Sequence, residues 1–329
     1  MVDDQALLKV VQYHFPLTPQ PYVALAERLG AHPAWVMERT QYLLDGGTVR
    51  AIRAIFEARR LSHRSVLVAA HVPEPRLVAV ADHVSSHPGV SHNYARRHHY
   101  NLWFTLTVPE STDMGRTISE LLPDVDAAQT LLLPALRTFK IDARFALGGD
   151  LPDVQVAAPP QRGPQTPFEP TAADRRAICA LTRPLPVVDW PFALLAEGAG
   201  MTPEDLLDRA RAYLDQGVMR RYGAVVNHRQ IGFRANGMTC WVVPLQRVEK
   251  VGHLFAGFPA VSHCYERPTY PGWPYNLFTM VHGATEDEVE DLVRQMAQAG
   301  QIEDYVILYS IREFKKEPVS FFAPGMPTG

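Results

Sequence analysis

The chain has 329 residues, 47% of them hydrophobic and 20% charged, with a formal net charge of -3. That length calls for several compact units, and the near-neutral balance gives no global attraction to nucleic acid or an anionic membrane. Cys179, Cys240 and Cys264 are odd in number and widely spaced, which fits neither a disulfide framework nor a paired-cysteine metal site. A reducing, cytoplasmic setting is expected, since the sequence shows no basic-then-apolar leader and no apolar run near the ~20 residues that cross a bilayer.

Leu7 to Phe15 carries apolar residues at helical spacing and stops before Pro16. PYVALAERLG predicts a short helix ending at Gly30, and Pro33 opens a second helix that runs to Asp45 and ends at Gly46 and Gly47. Thr48 to Phe56 then alternates as a strand does. Helix, turn, helix and strand spell a winged helix-turn-helix over residues 1–58. Over 59–150 the order becomes βαββαβ: a strand at SVLVAAHV, a helix over Arg76 to Ser86, two strands within His87 to Leu106, a helix after Thr112, and a last strand near Thr138 to Ala146. That is a ferredoxin-like sheet with helices on one face.

Residues 151–170 hold six prolines and read as an interdomain linker. The module then restarts. A second helix-turn-helix fills 171–230, with Pro191-Phe192 answering Pro21-Tyr22 and Gly217 answering Gly47. A second βαββαβ fills 231–329, with strands near Met238 to Pro244, Ala260 to Glu266, Tyr275 to His282 and Tyr305 to Arg312, and helices around Glu249 to Phe255 and Glu286 to Ala299. The tail after Lys316 is expected to wrap the surface or fray. The fold class is α+β: two tandem modules, each a winged helix-turn-helix plus a ferredoxin-like (RAM-like) domain, packed as an internal pseudo-dimer. Open sheet faces are expected to meet, with any cavity along their seam.

The richest stretch is HPGVSHNYARRHHYNLWFTL, His87 to Leu106, and it recurs as PAVSHCYERPTYPGWPYNLFTMV from Pro259 to Val281. Strand alternation predicts Val90, His92 and Tyr94 on one face with Ser91 and Asn93 on the other, and Val261, His263 and Tyr265 likewise. A histidine and a tyrosine so placed suit proton donation or anion binding; the plainer alternative is a pair of hydrogen-bonded interface residues. Arg96, Arg97, His98 and His99 read as a solvated hairpin tip by charge alone. Tyr100, Trp103 and Phe104 follow them, a mixture that suits a large flat ligand edged with carboxylates. Arginines also recur at matched places, Arg50 with Arg220, Arg59 with Arg229 and Arg64 with Arg234, with Arg53 and Arg221 nearby, which suggests an anion site where helix-turn-helix meets sheet.

Five histidines lie between His83 and His99, yet without a metal-binding spacing or a cysteine partner, so no metal site is expected. Nucleophile elbows, cysteine-protease signatures and phosphate-cradling glycine loops are absent. DNA binding is the main rival. Against it, Pro33 to Asp45 has Glu38, Arg39 and Asp45 for a net of -1, and Pro203 to Asp215 sets Glu204, Asp205, Asp208 and Asp215 against Arg209 and Arg211 for a net of -2. Helices that approach a polyanion normally carry net positive charge.

The motifs VSHNYARRHHYNLWFTL (Val90 to Leu106), VSHCYERPTYPGWPYNLFTMVHG (Val261 to Gly283) and GVMRRYGAVVNHRQIGFRAN (Gly217 to Asn236) resemble those of the siroheme decarboxylases. That family is similar in fold to Lrp/AsnC regulators and acts in heme d1 and alternative heme biosynthesis. The chain looks like a fusion of its two related subunits, the D and L type. The resemblance implies an iron tetrapyrrole substrate, siroheme, edged by eight carboxylates, two of whose acetates lose carbon dioxide to give 12,18-didecarboxysiroheme. It implies no added cofactor, because the iron belongs to the substrate.

The family pattern carries over to His92, Tyr94, Arg96, His98, Tyr100 and Asn101, and to His263, Tyr265, Arg267, Tyr275 and Asn276; Arg97 and His99 sit at more variable places. His92 or His263 is the expected proton donor, and His98 is the candidate axial ligand to the substrate iron. Arg50, Arg53, Arg97, Arg220, Arg221 and Arg234 are expected to take further carboxylates. The first half lacks the Gly-Ala step and the Gly-Phe-Arg element of the second, so one productive site is expected rather than two. Expected partners are the tetrapyrroles, and related decarboxylase subunits or further copies of the chain. The alternatives are a ligand-responsive Lrp/AsnC-type regulator and a tetrapyrrole-binding subunit without catalysis.

Overall fold

The computed structural model describes residues 3–13, 15–141, 168–227 and 235–322. The first module contains helices α1 (Asp4–Tyr13), α2 (Pro21–Leu29) and α3 (Pro33–Asp45), strands β1 (Val49–Phe56) and β2 (His63–Ala70), helix α4 (Leu77–Ser86), strands β3 (Val90–Arg96) and β4 (Leu102–Pro109), helix α5 (Met114–Leu121), and strands β5 (Thr130–Pro134) and β6 (Arg137–Ile141). The second contains α6 (Ala172–Thr182), α7 (Pro191–Ala199), α8 (Pro203–Asp215), β7 (Met219–Val226), β8 (Ala235–Trp241), α9 (Val248–Ala256), β9 (Val261–Glu266), β10 (Leu277–Gly283), α10 (Glu286–Gly300) and β11 (Tyr305–Lys316).

These elements do not group by module. One compact unit combines Met1–Ser62 with Ala146–Asn227, and the other combines His63–Phe145 with His228–Gly329. Like pairs with like.

In the helical unit, proline opens α2, α3, α7 and α8, and Gly30 and Gly200 close α2 and α7 in the left-handed conformation. The sequence reading missed α6, which follows the proline-rich segment. Its start is a capping box in which Thr171 accepts the Asp174 N–H and the Asp174 carboxylate accepts the Thr171 N–H at 2.9 Å. The expected separate wings are also revised: β1 and β7 pair with each other as a two-stranded antiparallel ribbon. Arg220 bridges it to Glu57 at 2.6 Å. Helix α1 packs on the other module's β7, and α6 on β1. At Gly223 a Cβ would lie 2.7 Å from the carbonyl oxygens of Val11 and Gln12, so the Gly-Ala step is where α1 meets the ribbon backbone to backbone.

The sheet unit holds nine strands in the order β5-β2-β4-β3-β11-β8-β10-β9-β6, with antiparallel neighbours throughout. Strands β5-β2-β4-β3 and β11-β8-β10-β9 are each a ferredoxin-like sheet. The expected last strand of the first module near Thr138 to Ala146 is corrected: β5 is the fourth strand, and β6 crosses to pair with β9 of the other module. Strand β11 does the reverse, pairing with β8 through Tyr309 and with β3 from Ser310 onward. Only Ala135 and Leu136 separate β5 from β6, so the sheet returns on itself. Each half buries one face under its own helices, and a third core of residues from both halves fills the space between the inner faces. The tail wraps: the Glu317 N–H donates to Ser91 O at 2.8 Å and Phe321 packs on His63.

Gly223→Ala should destabilise the protein by about 1–3 kcal/mol, since backbone oxygens cannot move aside as a side chain can. A lowered urea midpoint for the helical unit checks this, and an unchanged midpoint would contradict the close approach.

Candidate active site

On β3, Asn93 donates to Ala81 O of α4 at 2.8 Å and Ala95 joins the helix-side core, so His92, Tyr94 and Arg96 face inward. On β9, Cys264 faces α9, so His263 and Tyr265 face inward as well. Val90 and Val261 do not share that face, as alternation alone predicted. Bulges at Ser91 and Ser262 shift the register and send both valines into the helix-side cores.

The seam between the inner faces is not an open slot along its length. Its centre is packed with Ala69, Trp103, Leu131, Leu133, Met238, Cys240, Phe278 and Leu308. The second hairpin's four extra residues place Trp273 here, with Gly272 at φ +77 making the turn. Trp273 is 1% exposed and lies 5.6 Å from Tyr100, 5.6 Å from Trp103 and 4.8 Å from Tyr275. The polar groups therefore collect at the two ends of the strands.

At the hairpin end, Arg96 donates to Leu308 O at 2.6 Å and Arg267 donates to Leu133 O, each reaching the other half's fourth strand. Arg96 also lies 6.0 Å from the Trp103 ring, and Arg267 lies 4.9 Å from Tyr265. Burial lowers both guanidinium pKa values to about 10. No carboxylate pairs with either among the described residues, and the Nε atoms of both are buried without a hydrogen-bond partner. Two uncompensated cations inside a protein set up a field that favours an anionic ligand.

Toward the strand starts, His92 and Tyr94 have ring centroids 6.2 Å apart, and His263 and Tyr265 6.0 Å apart, each tyrosine also lying near the arginine of its own strand. All four are half-buried. Lys316 pairs with His92 across β3 and β11, and its charge acts on His282. Behind His263 runs a chain of hydrogen bonds: His263 Nδ1 to Ser262 Oγ at 2.8 Å, Ser262 Oγ to His282 Nε2 at 2.6 Å, and His282 Nδ1 to Asn236 Oδ1 at 2.5 Å. Ser262, His282, Asn236 and Lys316 escaped the sequence reading. Their signal was register: Asn236 pairs with His282 across β8 and β10.

The other expected site residues fall elsewhere. Asn101 gives its amide to Val72 O at 2.7 Å and accepts Val72 N–H at 2.9 Å, and Asn276 clamps Val243 in the same way, so both side chains are committed to backbone. Tyr100 is packed in the seam, and Tyr275 touches Trp273 with burial raising its hydroxyl pKa. Arg97 and His99 are exposed, with His99 on Gln129 at 2.9 Å. His98 Nδ1 accepts the Tyr100 N–H at 3.1 Å, so a neutral His98 carries its proton on Nε2 and offers no lone pair there to iron. Burial lowers its pKa.

Arg50, Arg53, Arg220 and Arg221 belong to the helical unit. Arg221 donates to Gln12 O at 2.9 Å and Ala224 O at 3.0 Å, and burial beside Arg221 brings the Arg53 pKa down to about 10. Arg220 is committed to Glu57. Arg229 and Arg234 lie outside the described residues. Among the described residues, no group of three histidines, cysteines or carboxylates is placed to hold a metal ion, and no helix is long and apolar enough to cross a membrane.

A duplicated ferredoxin-like sheet with inward histidine-tyrosine pairs defines an AsnC-like ligand-binding protein carrying helix-turn-helix elements. AsnC-like ligand binding domains match residues 62–140 and 230–315, and the siroheme decarboxylase NirDL-like HTH domain matches 4–50 and 174–220. The chain is 35% identical over 318 residues to the siroheme decarboxylase of Hydrogenobacter thermophilus, covering 96% of this chain and 94% of that one. It is 32% identical over 319 residues to the siroheme decarboxylase NirDL subunit of Paracoccus denitrificans, covering 95% of each. A crystal structure of the siroheme decarboxylase NirDL matches with a TM-score of 0.75 at 32% identity, over 98% of this chain and 95% of that chain. A second, in co-complex with an iron-uroporphyrin III analogue, gives a TM-score of 0.74 at 32% identity, over 98% of this chain and 95% of that chain. The chain belongs to the siroheme decarboxylase family, in its fused NirDL form.

Arg267→Met exchanges a buried cation without a carboxylate partner for an apolar chain of similar length. Its urea midpoint at neutral pH should match or exceed the parent's, because replacing buried charge by apolar volume is often neutral or stabilising. A loss above about 2 kcal/mol would show that the bond to Leu133 O outweighs the desolvation of the charge.

Proposed function

We propose that the chain is a siroheme decarboxylase that removes the carboxyl groups of two acetate side chains, giving 12,18-didecarboxysiroheme on the way to heme d1. The observation that carries this reading is the pairing of two cations lacking acid partners with two inward histidine-tyrosine pairs, in a chain alike to NirDL over nearly its whole length. A NirDL relative has been crystallised with an iron-uroporphyrin III analogue, and macrocycles of that type carry carboxylates around their rim. Arg96 and Arg267 attract such a rim through their field, while Tyr94 and Tyr265 offer flat walls and hydroxyl donors.

Each decarboxylation breaks the bond between the acetate methylene and its carboxylate. Carbon dioxide leaves, the electron pair stays on the methylene carbon and spreads into the macrocycle, and one proton completes a methyl group. The reaction therefore consumes one proton per acetate, and an acid must stand at that carbon. His92 and His263 are the inward groups suited to this, with Lys316 beside them as a further cation. A half-buried setting disfavours the carboxylate's charge before the bond breaks and so lowers the barrier.

The regulator reading is weaker. In α3 and α8 every arginine is held by an acid of its own unit: Arg39 by Asp4 at 2.9 Å, Arg209 by Asp174 at 2.6 Å, and Arg211 by Asp208 at 2.7 Å. Those cations are engaged before any phosphate arrives.

Anaerobic incubation with siroheme should yield a product short of two carboxyl groups by mass spectrometry. The His92→Ala, His263→Ala double variant should bind siroheme yet lose about 10²–10⁴-fold in kcat; full turnover by that variant would end the proton-donor assignment. A sequence-specific gel shift surviving physiological salt would favour the regulator instead.

A further inference from the structure

The two histidines occupy equivalent strand positions, but what stands behind them differs. Asn236 Oδ1 can only accept a hydrogen bond, so His282 Nδ1 carries the hydrogen at their 2.5 Å contact. His282 is 5% exposed, and burial first, then the charges of His263 and Lys316, pushes its pKa down to about 3. It is neutral throughout the physiological range, and its Nε2 offers a lone pair. Ser262 must then donate its single hydroxyl hydrogen to that nitrogen at 2.6 Å. The Ser262 oxygen is left to accept at its 2.8 Å contact with His263 Nδ1, which puts a hydrogen on Nδ1 and makes Nε2 the nitrogen that gains and loses a proton.

The first half carries different residues at these positions. Thr107 stands where His282 does and bonds instead to Ser65 at 2.7 Å, and Ser65 stands in the place of Asn236. The Ser91 hydroxyl meets His92 Nδ1 at 2.9 Å.

We propose that Asn236, His282 and Ser262 are positioning residues that lock His263 in its Nδ1–H tautomer, so that His263 Nε2 is the atom that delivers the proton consumed in decarboxylation. The assignment of the proton rests on the decarboxylase reading; the tautomer lock does not. Besides its own chain of bonds, His263 has Tyr265 on its strand and His282 on β10 as ionisable neighbours on the inner face, with Lys316 of β11 near His282.

The experiment uses the full chain labelled with 15N-histidine, with long-range proton-nitrogen spectra assigned through His92→Ala and His263→Ala. At a pH where its ring is neutral, His263 should show a protonated Nδ1 and an unprotonated Nε2. His282→Thr, which installs the first half's residue, should shift His263 toward a mixture and lower kcat on siroheme on the order of tenfold with KM nearly unchanged. Asn236→Ala removes only the outermost acceptor and should act in the same direction, which keeps the test available should His282→Thr fold poorly. A neutral parent His263 protonated at Nε2 and not at Nδ1, or variants with unchanged tautomer and kcat, would overturn the lock. If the lock holds while the parent leaves siroheme intact, the decarboxylase reading fails and the lock stands; if siroheme is turned over without the lock, only the lock fails.

Discussion

The structure depends on a reciprocal exchange of strands. Each ferredoxin-like half spends its fourth strand twice, first closing its own sheet and then pairing with the outer edge of the other half's second strand. An unpaired edge is a liability in any open sheet, and here each half removes the other's. The exchange also brings two inner faces together that neither half could cover alone. Arg96 and Arg267 report the same geometry, since each donates to a carbonyl on the fourth strand of the opposite half, Leu308 of β11 and Leu133 of β5. A cation that costs free energy to bury is tied to the element that builds the seam.

Closure made the seam, and duplication then allowed its two ends to diverge. The longer hairpin of the second copy carries Trp273, which fills the space between Tyr100, Trp103 and Tyr275 with aromatic surface. The strand-start end kept its histidines, and one of them acquired a hydrogen-bonded support. Two identical faces would offer an asymmetric macrocycle two equivalent orientations. Departures from identity, Trp273 in one hairpin and His282 in place of Thr107, remove that equivalence.

Much of the fold was legible because its signals are local. Pro33, Asp45 and the glycines after it delimit α3 at the residues observed, and βαββαβ follows from periodicity. Pairing between distant strands leaves no local trace, so β6 read as the fourth strand of its own sheet and β1 as part of its own wing. The histidine-tyrosine positions were visible through repetition. Repetition, however, highlights what two copies share, and His282, Asn236 and Trp273 are where they differ. The bulges at Ser91 and Ser262 were equally hidden, since one extra residue reverses which valine faces the core without changing composition. Asn101 and Asn276 recur for a different reason: each clamps the turn after its first strand, so repetition marked structure there and not ligand contact.

The helix-turn-helix elements fit the same logic of pairing. An isolated ribbon strand has no partner within its module, and β1 finds one only in β7, so the helical unit needs both copies as much as the sheet unit does. Two polar contacts serve that pairing: Glu57 with Arg220 across the ribbon, and Arg221 with the carbonyl of Gln12 near the end of α1. The arginines of α3 and α8 are held by acids of their own modules, which withdraws charge that a polyanion would need. Fusion into one chain makes both pairings intramolecular, so neither depends on protein concentration. The same fusion frees each copy from having to pair with itself, and that freedom permits a histidine relay in one half and a threonine in its place in the other.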